Sequence, residues 1–309
     1  MGYKLSTSDR VLITGGGGYL GAKLAERLVK SGCELFLTDI RFNEISKALG
    51  ERHKNIHLKT LDLRRKLDVS DVCRNISPDV IFHFASLIDR SRDFAIYESL
   101  YDVNVQGTLN LLEGLRSVQY KDLYFSSTSE VYGNWLGEPF REDIVLHPAS
   151  PYSLTKVFCE NTVGLFSEIN DKSYKIFRIF NYCGKDMPDT TFIGQMLDAY
   201  KRGLLFEMTE GEQTRDILFI DDLLDQILFV TEADSNFRIF NICSGQSFKM
   251  RDVAREFKII TQNTFRYACC LPYRKNEVWV TRGDNSRLQG LGFKYSNLSL
   301  SSMLNSCIC

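Results

Sequence analysis

Tyr152 and Lys156 stand four residues apart in the run Tyr152-Ser-Leu-Thr-Lys156. On a helix that spacing places the phenol and the ammonium one above the other on a single face. A phenol with a pKa of about 10 is a poor base at neutral pH. A neighbouring cation favours the phenolate and makes it a better one. A second polar run, Ser126-Ser-Thr-Ser-Glu-Val-Tyr-Gly133, offers hydroxyls and a carboxylate. A third, Thr14-Gly-Gly-Gly-Gly-Tyr-Leu-Gly21, has the form of a phosphate-cradling turn. Gly15 permits the tight turn, Gly18 lets backbone approach a pyrophosphate, and Gly21 allows a helix to pack closely on a strand. Asp39 follows about 20 residues on, where an acid hydrogen-bonds ribose hydroxyls. It also repels a 2′-phosphate, which favours NAD over NADP.

The elements that must position these groups are legible as alternating patterns. Val11-Leu-Ile-Thr14 is a buried strand, followed by the glycines and a helical stretch from Leu20 to Lys30. Further strands are expected at Glu34 to Asp39, Ile56 to Leu63, Asp79 to Phe84 and Leu123 to Ser126, with a helix from Val103 to Ser117 before the last. Continuous apolar strands separated by helices indicate a parallel sheet covered on both faces. The fold class is therefore α/β, a Rossmann-type doubly wound parallel sheet. Ligands of such sheets bind beyond the strands' carboxyl ends. That rule places Asp62 and Leu63 beside an adenine, and the backbone of His83-Phe84-Ala85-Ser86 near the middle of the cofactor. After Asn181 the rhythm changes. A helix is expected from Phe192 to Lys201, a strand at Asp216 to Ile220, a helix from Leu223 to Thr231 opened by Asp221 and Asp222, and a strand at Arg238 to Ile242. Residues 1–181 read as the dinucleotide-binding domain. Residues 182–309 read as a smaller α/β substrate-binding lobe, with some segments returning to the main sheet and a cleft between the two.

Composition narrows the class. The chain has 309 residues, with 38 Lys and Arg against 39 Asp and Glu. A nucleic-acid binder shows a basic surplus, so no nucleic-acid partner is expected. No apolar run reaches the roughly 18 residues of a membrane span, and Met1 to Arg10 is too polar for a signal peptide. Nine scattered cysteines form no CxxC pair, so neither a metal site nor a disulfide framework is expected. Reduced thiols in a cytoplasmic protein fit this usage. Ser306-Cys-Ile-Cys309 reads as a frayed end.

Taken together, the motifs resemble those of extended short-chain dehydrogenase/reductases of the nucleotide-sugar epimerase/dehydratase family. The resemblance covers nearly the whole chain: the glycine run, Asp39, His83 to Ser86 as a variant of H-x-A-A, and Asn104-Val-Gln-Gly-Thr-Leu-Asn110. It continues through Ser126 to Gly133, Tyr152 to Lys156, Arg178-Ile-Phe-Asn181, Gly211-Glu-Gln-Thr-Arg-Asp216 with Asp221 and Asp222, and Asp284 to Phe293. It implies NAD as cofactor, held by Gly15, Gly18, Tyr19, Leu20, Gly21, Asp39, Asp62, Leu63, Phe84, Ala85, Asn104, Ser126 and Lys156. It implies Thr128 as the catalytic hydroxyl, Tyr152 as base, Lys156 as its modulator and Glu130 as a further acid/base. It also implies a nucleotide-diphosphate sugar as substrate, contacted by Ser129, Asn181, Arg215 and Arg274. A homodimer is implied as well, joined through the helices Val103–Ser117 and Pro151–Phe166. The chain departs from the family at Ser86, where alanine is usual, and at Lys185, where proline is frequent.

The shared first step implied is oxidation of the sugar C4 hydroxyl. Four fates of the 4-keto sugar stay open: 4-epimerisation, 4,6-dehydration, decarboxylation of a uronate, or release by a 4-dehydrogenase. Thr128-Ser-Glu130 resembles the dehydratases and decarboxylases, with Glu130 either taking the C5 proton or pairing locally. A non-catalytic NAD-binding sensor on the same fold would be expected to lose Tyr152 or Lys156, and both are present.

Overall fold

The apolar runs of the first half lie side by side in a computed structural model, which describes residues 4–134, 137, 139–296 and 298–308. The strands are β1 (Arg10–Thr14), β2 (Glu34–Asp39), β3 (Ile56–Thr60), β4 (Val80–His83), β5 (Asp122–Thr128), β6 (Tyr174–Ile179), β7 (Asn181–Cys183), β8 (Leu205–Met208), β9 (Thr214–Phe219), β10 (Ile239–Ile242), β11 (Ser247–Lys249) and β12 (Arg266–Cys269). Seven of them form one sheet in the order β10-β6-β5-β4-β1-β2-β3. The pairs β2–β3, β1–β2, β1–β4 and β4–β5 are parallel. The strand order reverses beside β1, as in a doubly wound fold. The remaining strands make a three-stranded sheet, β11-β9-β7, and a two-stranded one, β12-β8.

Helices alternate with these strands: α1 (Tyr19–Leu28), α2 (Glu44–Arg52), α3 (Lys66–Ile76), α4 (Tyr97–Leu100), α5 (Gly107–Leu115), α6 (Pro151–Ile169), α7 (Phe192–Lys201), α8 (Ile220–Glu232), α9 (Met250–Ile260), α10 (Ser286–Gly290) and α11 (Leu300–Ile308). Leu12, Ile81, Leu111, Leu123 and Val163 belong to one core cluster that joins β1, β4 and β5 to α5 and α6. Burying a side chain of this size is worth about 1.5–3 kcal/mol.

Two expectations need correction. The helix expected from Val103 to Ser117 begins as a π-helical segment, Tyr101–Gln106, before α5 takes over. Two side-chain donors meet there: the Asn104 carbonyl accepts from the Thr108 hydroxyl at 2.6 Å and from the Cys159 thiol of α6 at 3.3 Å. Side-chain donors inserted at one carbonyl disturb the regular ladder. The chain end is not frayed up to residue 308, because Cys307 lies in α11 and is buried; Cys309 lies outside the described residues.

The chain divides into two units by contacts, residues 1–131, 150–178 and 231–240 in the first, and 132–149, 179–230 and 241–309 in the second. The sequence predicts a boundary at 181–182 with some later segments returning to the main sheet. The contacts give 132–149 to the second unit, and 231–240, which runs into β10 of the seven-stranded sheet, to the first.

Candidate active site

The glycine turn follows β1 and runs into α1, whose N-cap is Gly18. Gly15 has φ +74°, and a Cβ there would lie 2.5 Å from the Ala85 nitrogen. A Cβ on Gly21 would collide with the Gly15 carbonyl. The turn is thus pressed against the Phe84–Ala85 backbone and against its own helix, leaving N–H groups and a partial positive charge at the start of α1. Asp39, at the end of β2, accepts from the Gly17 N–H at 3.1 Å. A glycine turn shaped as a pyrophosphate cradle with an acid beside it is formed, and it fits NAD. Tyr19 and Leu20 open α1 directly behind the turn. Asp62 lies just beyond β3, where the Arg64 guanidinium holds its carboxyl below the usual range. The neighbouring Leu63 carbonyl accepts from the Asn110 amide at 2.8 Å.

His83 ends β4 fully buried, and burial pushes its pKa down to about 3. The ring is therefore neutral, and bridges the Thr14 hydroxyl at 2.7 Å to the Thr108 hydroxyl at 3.0 Å. Asn104 has all its polar atoms engaged with protein. Its amide oxygen accepts from the Leu87 N–H at 2.7 Å and the Ser86 hydroxyl at 3.1 Å. Its amide nitrogen donates to the Leu87 carbonyl at 3.0 Å and the Thr155 hydroxyl at 3.1 Å. Asn104, expected to hold the cofactor, ties the segment after β4 to α6, next to the Tyr–Lys pair.

That pair stands in the first two turns of α6. Ser150 caps the helix: its hydroxyl accepts from the Ser153 N–H at 3.0 Å while the Ser153 hydroxyl accepts from the Ser150 N–H at 3.0 Å. Pro151 occupies the first helical position, where its missing N–H costs nothing. Tyr152 and Lys156 are both buried. The Lys156 ammonium donates to the Ser126 carbonyl at 2.8 Å and lies 4.7 Å from the Phe125 ring centre and 6.0 Å from that of Tyr152. Burial pushes its pKa down to about 8. The Ser126 hydroxyl donates to the His83 carbonyl at 3.3 Å. Below this layer, Ser127 donates to Glu160, and the Glu160 carboxylate takes a two-point contact from Arg178 at 2.8 and 3.1 Å. This buried set locks β5, α6 and β6 together.

Thr128 is the last residue of β5, and its hydroxyl accepts from the Glu130 N–H at 3.2 Å. Ser129 and Glu130 begin a 3-10 turn, Ser129–Tyr132, with Ser129 buried. The Glu130 carboxylate is held from three sides. Ser150 donates to it at 3.2 Å, the Arg90 guanidinium lies at 3.4 Å and that of Arg92 at 3.7 Å. The sequence reading missed Ser150, Arg90 and Arg92. The Ser-Pro pair before a helix could have identified Ser150, but nothing in local spacing points to the arginines.

The remaining expected substrate residues belong to the second unit. Asn181 opens β7 and Arg215 lies on β9. The Arg215 guanidinium donates to Glu277 at 2.7 Å and to the Thr214 carbonyl at 2.8 Å. Arg274 is exposed. Among the described residues, no cluster of His, Cys, Asp and Glu could hold a metal ion. No helix among them is long and apolar enough to cross a membrane.

A dinucleotide cradle and a buried Tyr–Lys pair at one end of a doubly wound sheet define a Rossmann-type, dinucleotide-dependent enzyme. The chain belongs to the NAD dependent epimerase/dehydratase family, whose model matches residues 11–243. It is 27% identical to a UDP-glucose 4-epimerase of Mycoplasma pneumoniae over 80% of each chain. It is 28% identical to a UDP-N-acetyl-alpha-D-glucosaminuronate decarboxylase of Bacillus cytotoxicus, covering 82% of this chain and 81% of the relative. Its fold matches a UDP-glucuronic acid 4-epimerase of Bacillus cereus, solved with UDP-glucuronic acid and NAD, at a TM-score of 0.87 and 22% identity over 96% of both chains.

Proposed function

We propose that the protein is an NAD-dependent nucleotide-sugar 4-epimerase. The observation that carries this reading is the buried Lys156, one helical turn from Tyr152 and fixed on the carbonyl of Ser126. Its cation favours the phenolate of Tyr152, which takes the proton of the sugar's 4-hydroxyl while Thr128 holds the same oxygen. The glycine turn and Asp39 would hold NAD, which would supply the hydride acceptor for C4 and the donor that returns the hydride to the opposite face. Ser129 lines the sugar, and Asn181, Arg215 and Arg274 take the diphosphate or base, since a guanidinium fork suits phosphate oxygens.

Epimerisation is favoured over 4,6-dehydration by the surroundings of Glu130. The Glu130 carboxylate is already engaged by the Ser150 hydroxyl and by the Arg90 and Arg92 guanidiniums, so taking the sugar C5 proton would mean giving up those contacts. The protein works as a homodimer through α6. Phe158, Leu165 and Ile169 share one face of that helix and are 45%, 60% and 73% exposed, an apolar stripe of the kind that marks a protein interface. A cytoplasmic location agrees with the described cysteines, which are all free thiols.

The test is mass and stereochemical analysis of products from UDP-, GDP-, dTDP- and CDP-sugars incubated with NAD. Unchanged mass with inverted C4 is expected. Loss of water would instead mean a dehydratase with Glu130 as C5 base, loss of carbon dioxide a decarboxylase, and loss of two hydrogens a 4-dehydrogenase. If no sugar nucleotide binds or reacts, the reading falls and a non-catalytic NAD sensor takes its place.

A further inference from the structure

The segment after β4 brings two guanidiniums to one carboxylate beside the catalytic residues. Arg90 and Arg92 lie 3.4 and 3.7 Å from Glu130, whose own N–H is bonded to the Thr128 hydroxyl and whose carboxylate receives the hydroxyl of Ser150, the cap of the helix carrying Tyr152. Two positive charges meet one negative charge. Among the described residues Glu130 is the acid paired with these arginines; Asp89 and Asp93, next to them in sequence, accept instead from the N–H groups of Ser91 and Ala95. Arg92 is 12% exposed, and its Nε and Nη1 are buried without a hydrogen-bond partner. Buried guanidinium donors left unmade are costly, and a second planar oxyanion is the ligand that fits them.

We propose that Arg90 and Arg92 form a subsite for a carboxylate carried on the substrate sugar, so that the preferred substrate is a nucleotide-diphosphate uronic acid. The inference rests on the C4 chemistry proposed above, since it takes the 4-hydroxyl to lie at Tyr152 and Thr128. In a hexose the carbons flanking C4 are C3 and C5, and C5 bears the carbon that can be a carboxylate. The anomeric diphosphate lies across the ring from C4, away from this corner. With the sugar carboxylate in place, two cations face two anions, and the Arg92 Nε–H and Nη1–H, which lack hydrogen bonds, gain acceptors. Desolvated charge pairing of this kind discriminates strongly against a neutral analogue, which leaves the donors unpaired.

The test is equilibrium binding to the NAD-loaded enzyme of four pairs of probes that differ only at C6: UDP-glucuronate with UDP-glucose, UDP-galacturonate with UDP-galactose, GDP-mannuronate with GDP-mannose, and dTDP-glucuronate with dTDP-glucose. UDP and GDP serve as sugar-free controls. The uronate of at least one pair should bind about tenfold or more tightly than its neutral partner, a gap of about 1.4 kcal/mol. Arg92→Gln should bring that ratio close to one, and Arg92→Lys should restore part of it. A purely structural defect would weaken both members alike and leave the ratio unchanged, which would overturn the proposal. Equal loss of affinity for the sugar-free nucleotide would mean that the arginines read the diphosphate, which also overturns it. Binding of neutral sugars with no preference for uronates would sink the subsite while leaving the C4 enzyme standing. Binding of no sugar nucleotide at all would sink both.

Discussion

The Lys156 ammonium meets the Ser126 backbone carbonyl at 2.8 Å. One carbonyl near the end of β5 thereby fixes the charge proposed to act on Tyr152, and does so inside protein rather than in water. Burial makes this cation electrostatically strong and weakens its hold on the proton, which is why its pKa is pushed down to about 8.

The pH dependence follows from that position. The cation is present below about 8 and lost above it, so kcat/KM should fall as pH rises through about 8. Stability moves the other way. The unfolded chain holds the lysine proton up to 10.5, so between the two values the unfolded state binds more protons and folding grows more favourable with pH. An alkaline loss of kcat/KM at constant or rising Tm is the expected pair of observations, and a parallel fall in Tm would contradict it.

Tyr152→Phe keeps the helix and the apolar ring but removes the acid/base group. Turnover should drop by about 10²–10⁴, with NAD affinity nearly unchanged. Titration of NAD alongside initial rates checks both halves. A variant that retains wild-type turnover would remove Tyr152 from the chemistry.

Asp39 sits at the end of β2 against the glycine turn. Asp39→Ala removes a charged acceptor worth about 1.5–3 kcal/mol, so the Kd for NAD should rise by at least tenfold. The Kd for NADP should rise less or fall, because the repulsion of a 2′-phosphate goes with the carboxylate. Equal effects on the two cofactors would argue against a ribose role.

Glu160 and Arg178 are 5% and 4% exposed and paired at 2.8 Å. Glu160→Ala removes one member of a buried, hydrogen-bonded ion pair, so the loss should be about 3–5 kcal/mol. A lowered denaturation midpoint with an unchanged m-value is the expected signature. A loss below about 1 kcal/mol would show that water or another group relieves the arginine, since a surface pair is worth no more than that.

The parts of this protein governed by neighbours in sequence were legible from sequence alone. Apolar runs of strand length, the glycine turn with Asp39, and the four-residue spacing of Tyr152 and Lys156 all depend on periods and local geometry. The β2 and α7 bounds match the expected residues, Glu34–Asp39 and Phe192–Lys201. Elsewhere the ends moved by a few residues, as when the strand expected to Leu63 stops at Thr60, because strand ends are set by the partner strand.

Tertiary structure decided the rest. The π-helical start at Tyr101–Gln106 arises because Cys159, from another helix, reaches the Asn104 carbonyl, and no helical periodicity encodes that contact. The same is true of Glu130. Its residue type and place after Thr128 left both a C5 base and a local ion pair open. The reading proposed for it turns on Arg90 and Arg92, which the fold carries to it from the end of a different strand. What a carboxylate can do is set by the charges within a few ångströms of it, and those are chosen by the packing of elements distant in the chain.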